Sequence, residues 1–296
     1  MRWFWKDRLI LFFCWSAAIF LGMVITVIGV YLGWKGIRCL NWEFIWDMPK
    51  GTPLGKEGGI YPALKGTLYL VFFSILFSFP LALITALHIS CYGTGSRWGE
   101  FINLAIQTMS GNPSIVTGLF GYSLFVVSLG YGISLLSGSL TLGIMVFPVM
   151  VITFREALLA ARERFMLVAL SLGVSPWYLF RRVILPWAWP HIAGGTLLAM
   201  GYAAGATAPI MVTAVALFSP TTGSLREPVM ALPYHISILF SQHISLEKAS
   251  GTALVLLILL LLINLTAMLI GAFKRDLACL VWISPCVEGH KSDISL

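Results

Sequence analysis

Charged side chains are scarce in this chain, and acidic ones are scarcer than basic ones. Of the 296 residues only 10% are Asp, Glu, Lys or Arg, whereas 58% are apolar. A soluble domain has about a quarter of its residues charged, so the composition excludes an ordinary cytosolic globule. Nineteen basic and twelve acidic residues leave a formal net charge of +7. The basic residues are never interleaved with aromatic residues on a polar surface, which argues against nucleic-acid binding.

Motifs for metal binding and for nucleotide hydrolysis are also missing. No C-x-x-C pair occurs, and the five cysteines are odd in number and far apart. The P-loop pattern G-x-x-x-x-G-K-[ST], whose backbone amides cradle nucleotide phosphates, is absent as well. We therefore expect no metal, no cofactor, no catalytic residue and no ATPase activity in this chain. The cysteines, interpreted as small apolar residues, are Cys14, Cys39, Cys91, Cys279 and Cys286.

Long stretches without any charged residue make up most of the sequence. A helix needs about 20 apolar residues to cross the hydrocarbon core of a bilayer, and an open strand edge cannot be satisfied in lipid. Five charge-free stretches reach this length, and one of them is long enough for two crossings with a turn at 130–138. The sequence therefore predicts an all-α polytopic membrane protein with six transmembrane helices. The predicted spans are 9–33, 66–90, 101–128, 136–154, 192–217 and 249–273.

Lysines and arginines are biased toward one side of the predicted membrane. Twelve fall in segments on the same side as the N-terminus, six fall in segments on the opposite side, and the nineteenth, Lys65, stands at a helix start. Because cytoplasmic loops carry the excess of basic residues, both termini are expected in the cytoplasm. The external segment 35–59 mixes tryptophans with charged residues and is predicted to lie on the membrane surface.

The loop 155–186 is the longest internal loop on the cytoplasmic side. It carries five arginines and two glutamates, and on charge alone these residues could serve only to set the topology. Apolar residues alternate with small ones around Gly173, and Pro186 is expected to end the segment. A short helix, a glycine break and a second short helix would form a stiff element along the membrane face, able to dock into a groove of a partner.

This loop resembles the coupling loop of importer-type ABC permeases. The family pattern is Glu-Ala-Ala, three residues, Gly, nine residues, Ile, one residue, Leu-Pro, and here a leucine stands where the family has its glutamate. By this resemblance the segment transmits movement from a cytoplasmic ATPase. The residues implied to couple to the ATPase are Leu167, Ala169, Gly173, Val183, Leu185 and Pro186.

Three further stretches are similar to PstA-type permeases, which belong to bacterial phosphate ABC importers. They are residues 58–68, 111–121 and 228–236. The resemblance implies the type I ABC importer permease fold. It also implies a membrane anchor with an external loop at 1–57, a permease domain at 58–273 and a cytoplasmic tail at 274–296.

The same resemblance implies a permease subunit of an ATP-driven phosphate importer in the bacterial inner membrane. The implied partners are a second, PstC-like permease, a cytoplasmic PstB-like ATPase dimer, a periplasmic PstS-like phosphate-binding protein and the lipid bilayer. Another solute carried by the same class of permease remains an alternative. An ion-coupled secondary transporter would need charged groups inside the spans, and a membrane-embedded enzyme would need a cluster of catalytic side chains.

Polar residues of two spans are the candidates for lining a translocation path. In 111–121, small residues favour close helix packing, while Pro113 frees backbone groups and its polar neighbours can line a path. The two roles are compatible if they use different faces of the helix. In the fifth span the family has Arg, two residues and Gly-Glu-Thr-Ala-Pro, and here Tyr202 and Ala206 replace the two charged residues. The candidate path residues are Asn112, Ser114, Thr117, Tyr202, Thr207 and Pro209.

The loss of this charged pair bears on the substrate. Removing a phosphate ion from water without a compensating cation is strongly unfavourable. Tyr202 and Thr207 can donate hydrogen bonds, but neither carries a positive charge. Either the partner permease supplies the cation, or Lys65 projects inward, or the substrate is not phosphate.

Overall fold

A computed structural model describes residues 2–51, 55, 57–91, 96–215 and 224–288 of the chain. The described residues are mostly helical. They divide into two compact units, of which one comprises Met1–Tyr61 with His235–Leu257 and the other Pro62–Tyr234 with Ile258–Leu296.

The helices follow one another along the chain with short connections. They are α1 Arg2–Ile37, α2 Trp42–Trp46, α3 Tyr61–Cys91, α4 Arg97–Ser110, α5 Ser114–Gly121, α6 Leu135–Ser171, α7 Pro176–Leu179, α8 Leu185–Gly205, α9 Ala208–Thr213, α10 Leu232–Ser241 and α11 Leu246–Glu288. One π-helical segment, Tyr122–Ser128, continues α5, and another, Phe180–Ile184, joins α7 to α8. A short antiparallel sheet pairs β1 Pro49–Lys50 with β2 Glu57–Gly58.

Among the described residues, five helices are long and apolar enough to cross a bilayer. They are Leu11–Ile37, Tyr61–Ser90, Leu135–Ser171, Trp177–Gly205 and Leu246–Leu269. These helices overlap the first, second, fourth, fifth and sixth predicted spans. The predicted count of six is not matched, because the third predicted span is not one continuous helix.

The third predicted span, 101–128, is divided at Asn112 and Pro113. α4 ends at Ser110 with Gly111 as its C-cap, and Pro113 has φ −57° and ψ 137°, outside the helical region. Proline lacks an N–H and disfavours helical geometry in the residue before it, so the helix stops there. The apolar helix that follows is Ser114–Ser128. At 1.5 Å per residue it is about 22 Å long, shorter than the hydrocarbon core of about 30 Å.

The fifth predicted span, 192–217, begins earlier and is interrupted. Helical structure runs from Pro176 to Gly205, and Ala206 is extended with ψ 124° before α9 begins. The expectation that Pro186 ends the cytoplasmic segment is wrong. The Leu185 N–H donates to Phe180 O, five residues back, and this π-type turn leads into α8 with proline in its first turn, where a missing N–H costs least.

α6 is the main buried helix of the larger unit. Its first 20 residues carry no charge, and at 1.5 Å per residue they span about 30 Å, the thickness of the hydrocarbon core. From Arg155 onward charged residues appear, although the helix continues to Ser171. The short helix expected before Gly173 is therefore the extension of a spanning helix. α6 packs most extensively on α8 and also contacts α4, α5 and α9.

α3 buries one stripe of small and apolar residues at helical spacing. Ser78 on this stripe donates its hydroxyl to Gly143 O at 2.6 Å, and a Cβ on Gly143 would lie 3.0 Å from Ser78 Oγ. α3 and α6 therefore approach each other closely at these small residues. The buried residues include Ala63, Thr67, Leu70, Ser74, Ser78, Ala82 and Ala86.

The smaller unit is organised around α2 and the beginning of α11. The Ile60 N–H donates to Phe44 O at 2.8 Å, and the Lys248 ammonium donates to Gly58 O at 2.8 Å. His235 on α10, which is not one of the candidate spans, is buried with Nδ1 3.3 Å from Thr252 Oγ1. This burial lowers the pKa of His235 to about 4, so its imidazole is neutral at physiological pH.

Candidate translocation site and coupling element

A cavity of about 300 Å³ is lined by residues of α4, α5, α6, α8 and the break between α4 and α5. Three of the six predicted path residues, Asn112, Thr117 and Tyr202, line it. Tyr202 comes from a helix about 90 residues later in the chain, and its side chain is 51% exposed. The lining residues are Met109, Ser110, Asn112, Val116, Thr117, Phe120, Ile144, Met145, Pro148, Val149 and Tyr202.

The cavity offers hydrogen-bonding groups without charge. Its polar groups are the Asn112 amide and the hydroxyls of Ser110, Thr117 and Tyr202, and none of the described residues that line it is Asp, Glu, His, Lys or Arg. A wall of this kind can replace part of the hydration of a solute but cannot neutralise a charge. Throughout the described part of the chain, no group of three or more His, Cys, Asp or Glu could hold a metal ion.

In the stretch 111–121, one helix face packs closely against neighbouring helices and another face lines the cavity. On one face, a Cβ added at Gly118 would lie 2.7 Å from Pro209 Cα, and one at Gly121 would lie 2.2 Å from Thr141 Oγ1. The other face presents Val116, Thr117 and Phe120 to the cavity. The glycines therefore permit close packing of α5 on α9 and α6, while the opposite face contributes to the wall.

The other three predicted path residues do not line this cavity. Pro209 is buried and packs against Gly118. Ser114 is the first residue of α5, and Thr207 precedes α9 in the break after α8. Lys65, the alternative source of a cation, lies on α3 with its ammonium 5.5 Å from the centre of the Tyr69 ring, and it does not line the cavity either.

Both interruptions of helical structure are adjacent to the cavity. Asn112, in the break between α4 and α5, lines it, and Tyr202 lies one turn before the break at Ala206. Irregular backbone at membrane depth is tolerated only where it is buried in protein or lines a polar cavity. The contribution of α6, through Ile144, Pro148 and neighbouring residues, was not predicted, because apolar side chains carry no chemical signal in a sequence.

Two of the three stretches that resemble PstA-type permeases contact each other. The Leu232 N–H donates to Thr67 Oγ1 at 2.8 Å. A Cβ on Gly66 would lie 2.0 Å from Met230 O, so glycine is required for the two segments to approach. The stretches 58–68 and 228–236 are therefore in contact at residues where each resembles the family.

The predicted coupling element centres on Gly173, which has φ +66°. The Gly173 N–H donates to Leu170 O at 3.2 Å, and the Val174 N–H donates to Ala169 O at 3.1 Å. This pair of bonds is the Schellman motif, in which a residue with positive φ, usually glycine, ends the helix. The chain turns sharply there, and α7 begins at Pro176.

The predicted coupling residues fall into an inner and an outer group. Ala169 is buried, with 6% of its surface exposed, and Val183 and Leu185 pack against the hydrophobic core. Leu167, by contrast, is 75% exposed, and Gly173 and Pro186 are exposed too. The neighbouring Trp177 and Tyr178 add an exposed aromatic surface that the motif did not indicate.

A family model described as "Binding-protein-dependent transport system inner membrane component" matches residues 78–273. The probable ABC transporter permease protein YqgI of Bacillus subtilis (strain 168) is 30% identical over 256 residues, which are 81% of this chain and 86% of that protein. The phosphate transport system permease protein PstA 1 of Mycobacterium tuberculosis (strain CDC 1551 / Oshkosh) is 30% identical over 240 residues, covering 80% and 78%.

Among solved structures, the MetNI methionine ABC transporter in an inward-facing conformation has a similar fold. The TM-score is 0.56 at 16% sequence identity, covering 72% of this chain and 94% of that one. At this identity the likeness shows the fold alone.

The fold is that of type I ABC importer permeases, and its long apolar helices are those of a multi-pass membrane protein. The chain belongs to the family of binding-protein-dependent transport system inner membrane components. The resemblance to PstA-type permeases is confirmed by relatives about 30% identical over most of the chain. Membership of a family named for binding-protein-dependent transport favours an importer permease over an ion-coupled transporter or an enzyme.

Proposed function

We propose that this chain forms half of the translocation pathway of an ATP-driven importer of inorganic phosphate in the bacterial inner membrane. The convergence of Asn112, Thr117 and Tyr202 on one cavity supports this proposal most directly. Amide and hydroxyl groups suit the oxygens of a small oxyanion, because they can donate hydrogen bonds while it passes. Relatives named as phosphate transport permeases favour phosphate over another solute.

The proposal assigns the contact with the ATPase to the segment around Gly173. Leu167 and Pro186 are exposed there, whereas Ala169, Val183 and Leu185 hold the segment to the helical core. The proposed partners are a PstB-like ATPase dimer at this segment, a second PstC-like permease that completes the pathway, and a PstS-like binding protein outside. Both termini and the tail 274–296 are then cytoplasmic.

α6 gives this arrangement a mechanical connection. The same helix lines the cavity through Ile144 to Val149 and ends at Ser171, beside the coupling turn. The helix continues without interruption from Val149 to Ser171, and at 1.5 Å per residue this segment extends about 33 Å. A displacement that the ATPase dimer imposes at its cytoplasmic end therefore moves a wall of the cavity.

Reconstitution tests the substrate and the cavity together. In proteoliposomes containing both permeases, the ATPase and the binding protein, phosphate is expected to stimulate ATP turnover more than sulfate or methionine does. Tyr202→Phe should lower phosphate uptake about tenfold, since a hydrogen bond to a charged group contributes about 1.5–3 kcal/mol. Tyr131→Phe, outside the cavity, is the matched control.

The outcomes separate the two parts of the proposal. If another solute stimulates turnover and phosphate does not, the phosphate assignment is wrong and the importer assignment stands. If Tyr202→Phe and Tyr131→Phe transport equally well, the cavity is not the path.

A further inference from the structure

The cavity leaves the charge of an anionic solute without compensation. None of the described residues that line it is cationic, and an anion stripped of water in a low-dielectric path needs a cation close by. Because α4 and α6 both line the cavity and pack on each other, their seam is where a cation of this chain would act.

Arg155 and Asn103 lie on that seam, two helical turns from the cavity. Arg155 is seven residues after Pro148 on α6, and Asn103 is seven residues before Ser110 on α4. Seven residues are about two turns and about 10 Å along a helix, so each residue shares a face with its cavity-lining counterpart. The Arg155 Nη1 donates to Asn103 Oδ1, which joins the two helices at this level.

The side chain that accepts a hydrogen bond from the Arg155 guanidinium is neutral. Asn103 supplies an amide oxygen, and Arg155 Nε is buried without a hydrogen-bond partner. Within the described ranges no carboxylate lies within ion-pair distance of its guanidinium. Glu156 follows on α6 and Glu100 lies one turn from Asn103 on α4, and both side chains are exposed. A half-buried guanidinium without a counter-ion favours an anion beside it.

An apolar turn separates this arginine from the cavity. Ile106 lies between Asn103 and Ser110 on α4 and is buried, and Ile152 lies between Pro148 and Arg155 on α6 and packs on the core. From the cavity toward the cytoplasmic end, the seam therefore presents neutral hydrogen-bonding groups, an apolar turn and a cation.

We propose that Arg155 binds the transported anion on the cytoplasmic side of this apolar turn, with Asn103 as its positioning residue. The ligand is a small oxyanion of the phosphate class. Guanidinium has five N–H donors in a planar fork that matches two oxygens of such an anion, and Asn103 uses one of them. The inference rests on the proposed role of the cavity as the path, and it requires α4 and α6 to separate at Ile106 and Ile152 before the anion reaches Arg155.

Charge substitutions in the assembled importer test this site. In proteoliposomes with ATPase, second permease and binding protein, Arg155→Gln should lower phosphate uptake at least tenfold and leave ATP turnover within twofold. Arg155→Lys should retain more uptake than Arg155→Gln, because it keeps the charge while losing the planar fork. Arg97→Gln removes an exposed arginine from α4 and is the matched control, with uptake expected within twofold of the unchanged protein.

A chemical rescue separates charge from packing. Arg155→Cys is prepared in a background without the native cysteines and modified with a cationic or a neutral methanethiosulfonate reagent of similar size. The cationic adduct should restore uptake and the neutral one should not, and the comparison also applies if Arg155→Gln fails to assemble. Equal restoration by both adducts, or unchanged uptake in Arg155→Gln, overturns the proposal.

The same variants distinguish this inference from the phosphate assignment. If the unchanged importer carries another anion and Arg155→Gln lowers the uptake of that anion, the arginine site stands and the phosphate assignment is wrong. If the importer carries a neutral solute at the same rate in the unchanged protein and in Arg155→Gln, the arginine site is wrong.

Discussion

At Gly173 the backbone conformation, and not the space around the residue, requires glycine. Its φ is +66°, and no atom lies within 4 Å of the position a Cβ would take. A larger residue would therefore meet no neighbour there but would be forced into the left-handed region, which costs about 1–2 kcal/mol for most residues and less for asparagine. If the chain relaxed out of the left-handed region, the backbone hydrogen bonds donated by the N–H groups of Gly173 and Val174 would be lost.

Gly173→Ala should therefore loosen the coupling turn without disturbing the spans. We expect several-fold less phosphate uptake per ATP hydrolysed, because the ATPase would move a less rigid element. In Gly173→Asn, phosphate uptake per ATP hydrolysed should stay within twofold of that of the unchanged protein, since asparagine tolerates positive φ. Uptake and ATP turnover measured in the same proteoliposomes give this ratio. Gly194→Ala, also in open space but without positive φ, is the control, and an equal loss in all three variants would contradict the conformational explanation.

At the scale of elements, helix interruptions and close contacts between small residues shape the cavity wall. Pro113 and Ala206 stop two helices where continuous spans were predicted. α5 then lies directly on α9, with Gly118 against the backbone of Pro209. Because the contact is with backbone, a side chain at 118 cannot be accommodated by a rotamer change.

Gly118→Ala should destabilise the packing of α5 on α9. Its Cβ would lie 2.7 Å from Pro209 Cα, and overpacking of this kind costs about 1–3 kcal/mol. We expect a lower midpoint of thermal unfolding in detergent, followed by tryptophan fluorescence. For a Cβ at Gly111 the nearest atom would be Thr108 O, at 3.7 Å, so Gly111→Ala in the same stretch should change stability by no more than about 0.5 kcal/mol. Equal midpoints for the two variants would argue against the steric explanation.

For the whole molecule, the decisive property is which side of the membrane the coupling turn occupies. α6 carries its charges only after Phe154, and the turn at Gly173 follows its end. The excess of basic residues predicts that this end lies in the cytoplasm, where the proposed ATPase would reach it.

Labelling of single cysteines tests this orientation. With the native cysteines replaced, Arg226→Cys should react with a membrane-impermeant maleimide in intact cells, whereas Ser171→Cys should react only after permeabilisation. Both residues are exposed, and the span Trp177–Gly205 lies between them, so they form a matched pair. Modification of Ser171→Cys in intact cells would contradict the ATPase-coupling role.

Local patterns in the sequence indicated several of the residues that the candidate site brings together. The spacing around Gly173 indicated a glycine break, and the structure has a positive φ there. Asn112, Thr117 and Tyr202 were singled out as polar residues in apolar stretches, and they line one cavity. Ser114, Thr207 and Pro209 had the same polar or helix-breaking character but do not line it, because the face a residue presents depends on how its helix packs.

Composition and charge by themselves determined that the chain is helical and crosses a membrane, since a bilayer accepts only long apolar segments with satisfied backbone groups. Only the tertiary structure decided where those helices break, which of their faces meet, and that Arg155 and Asn103 lie two turns from the cavity. These features depend on contacts between residues far apart in the chain. Hydropathy and motif spacing are local properties of the sequence and carry no information about such contacts.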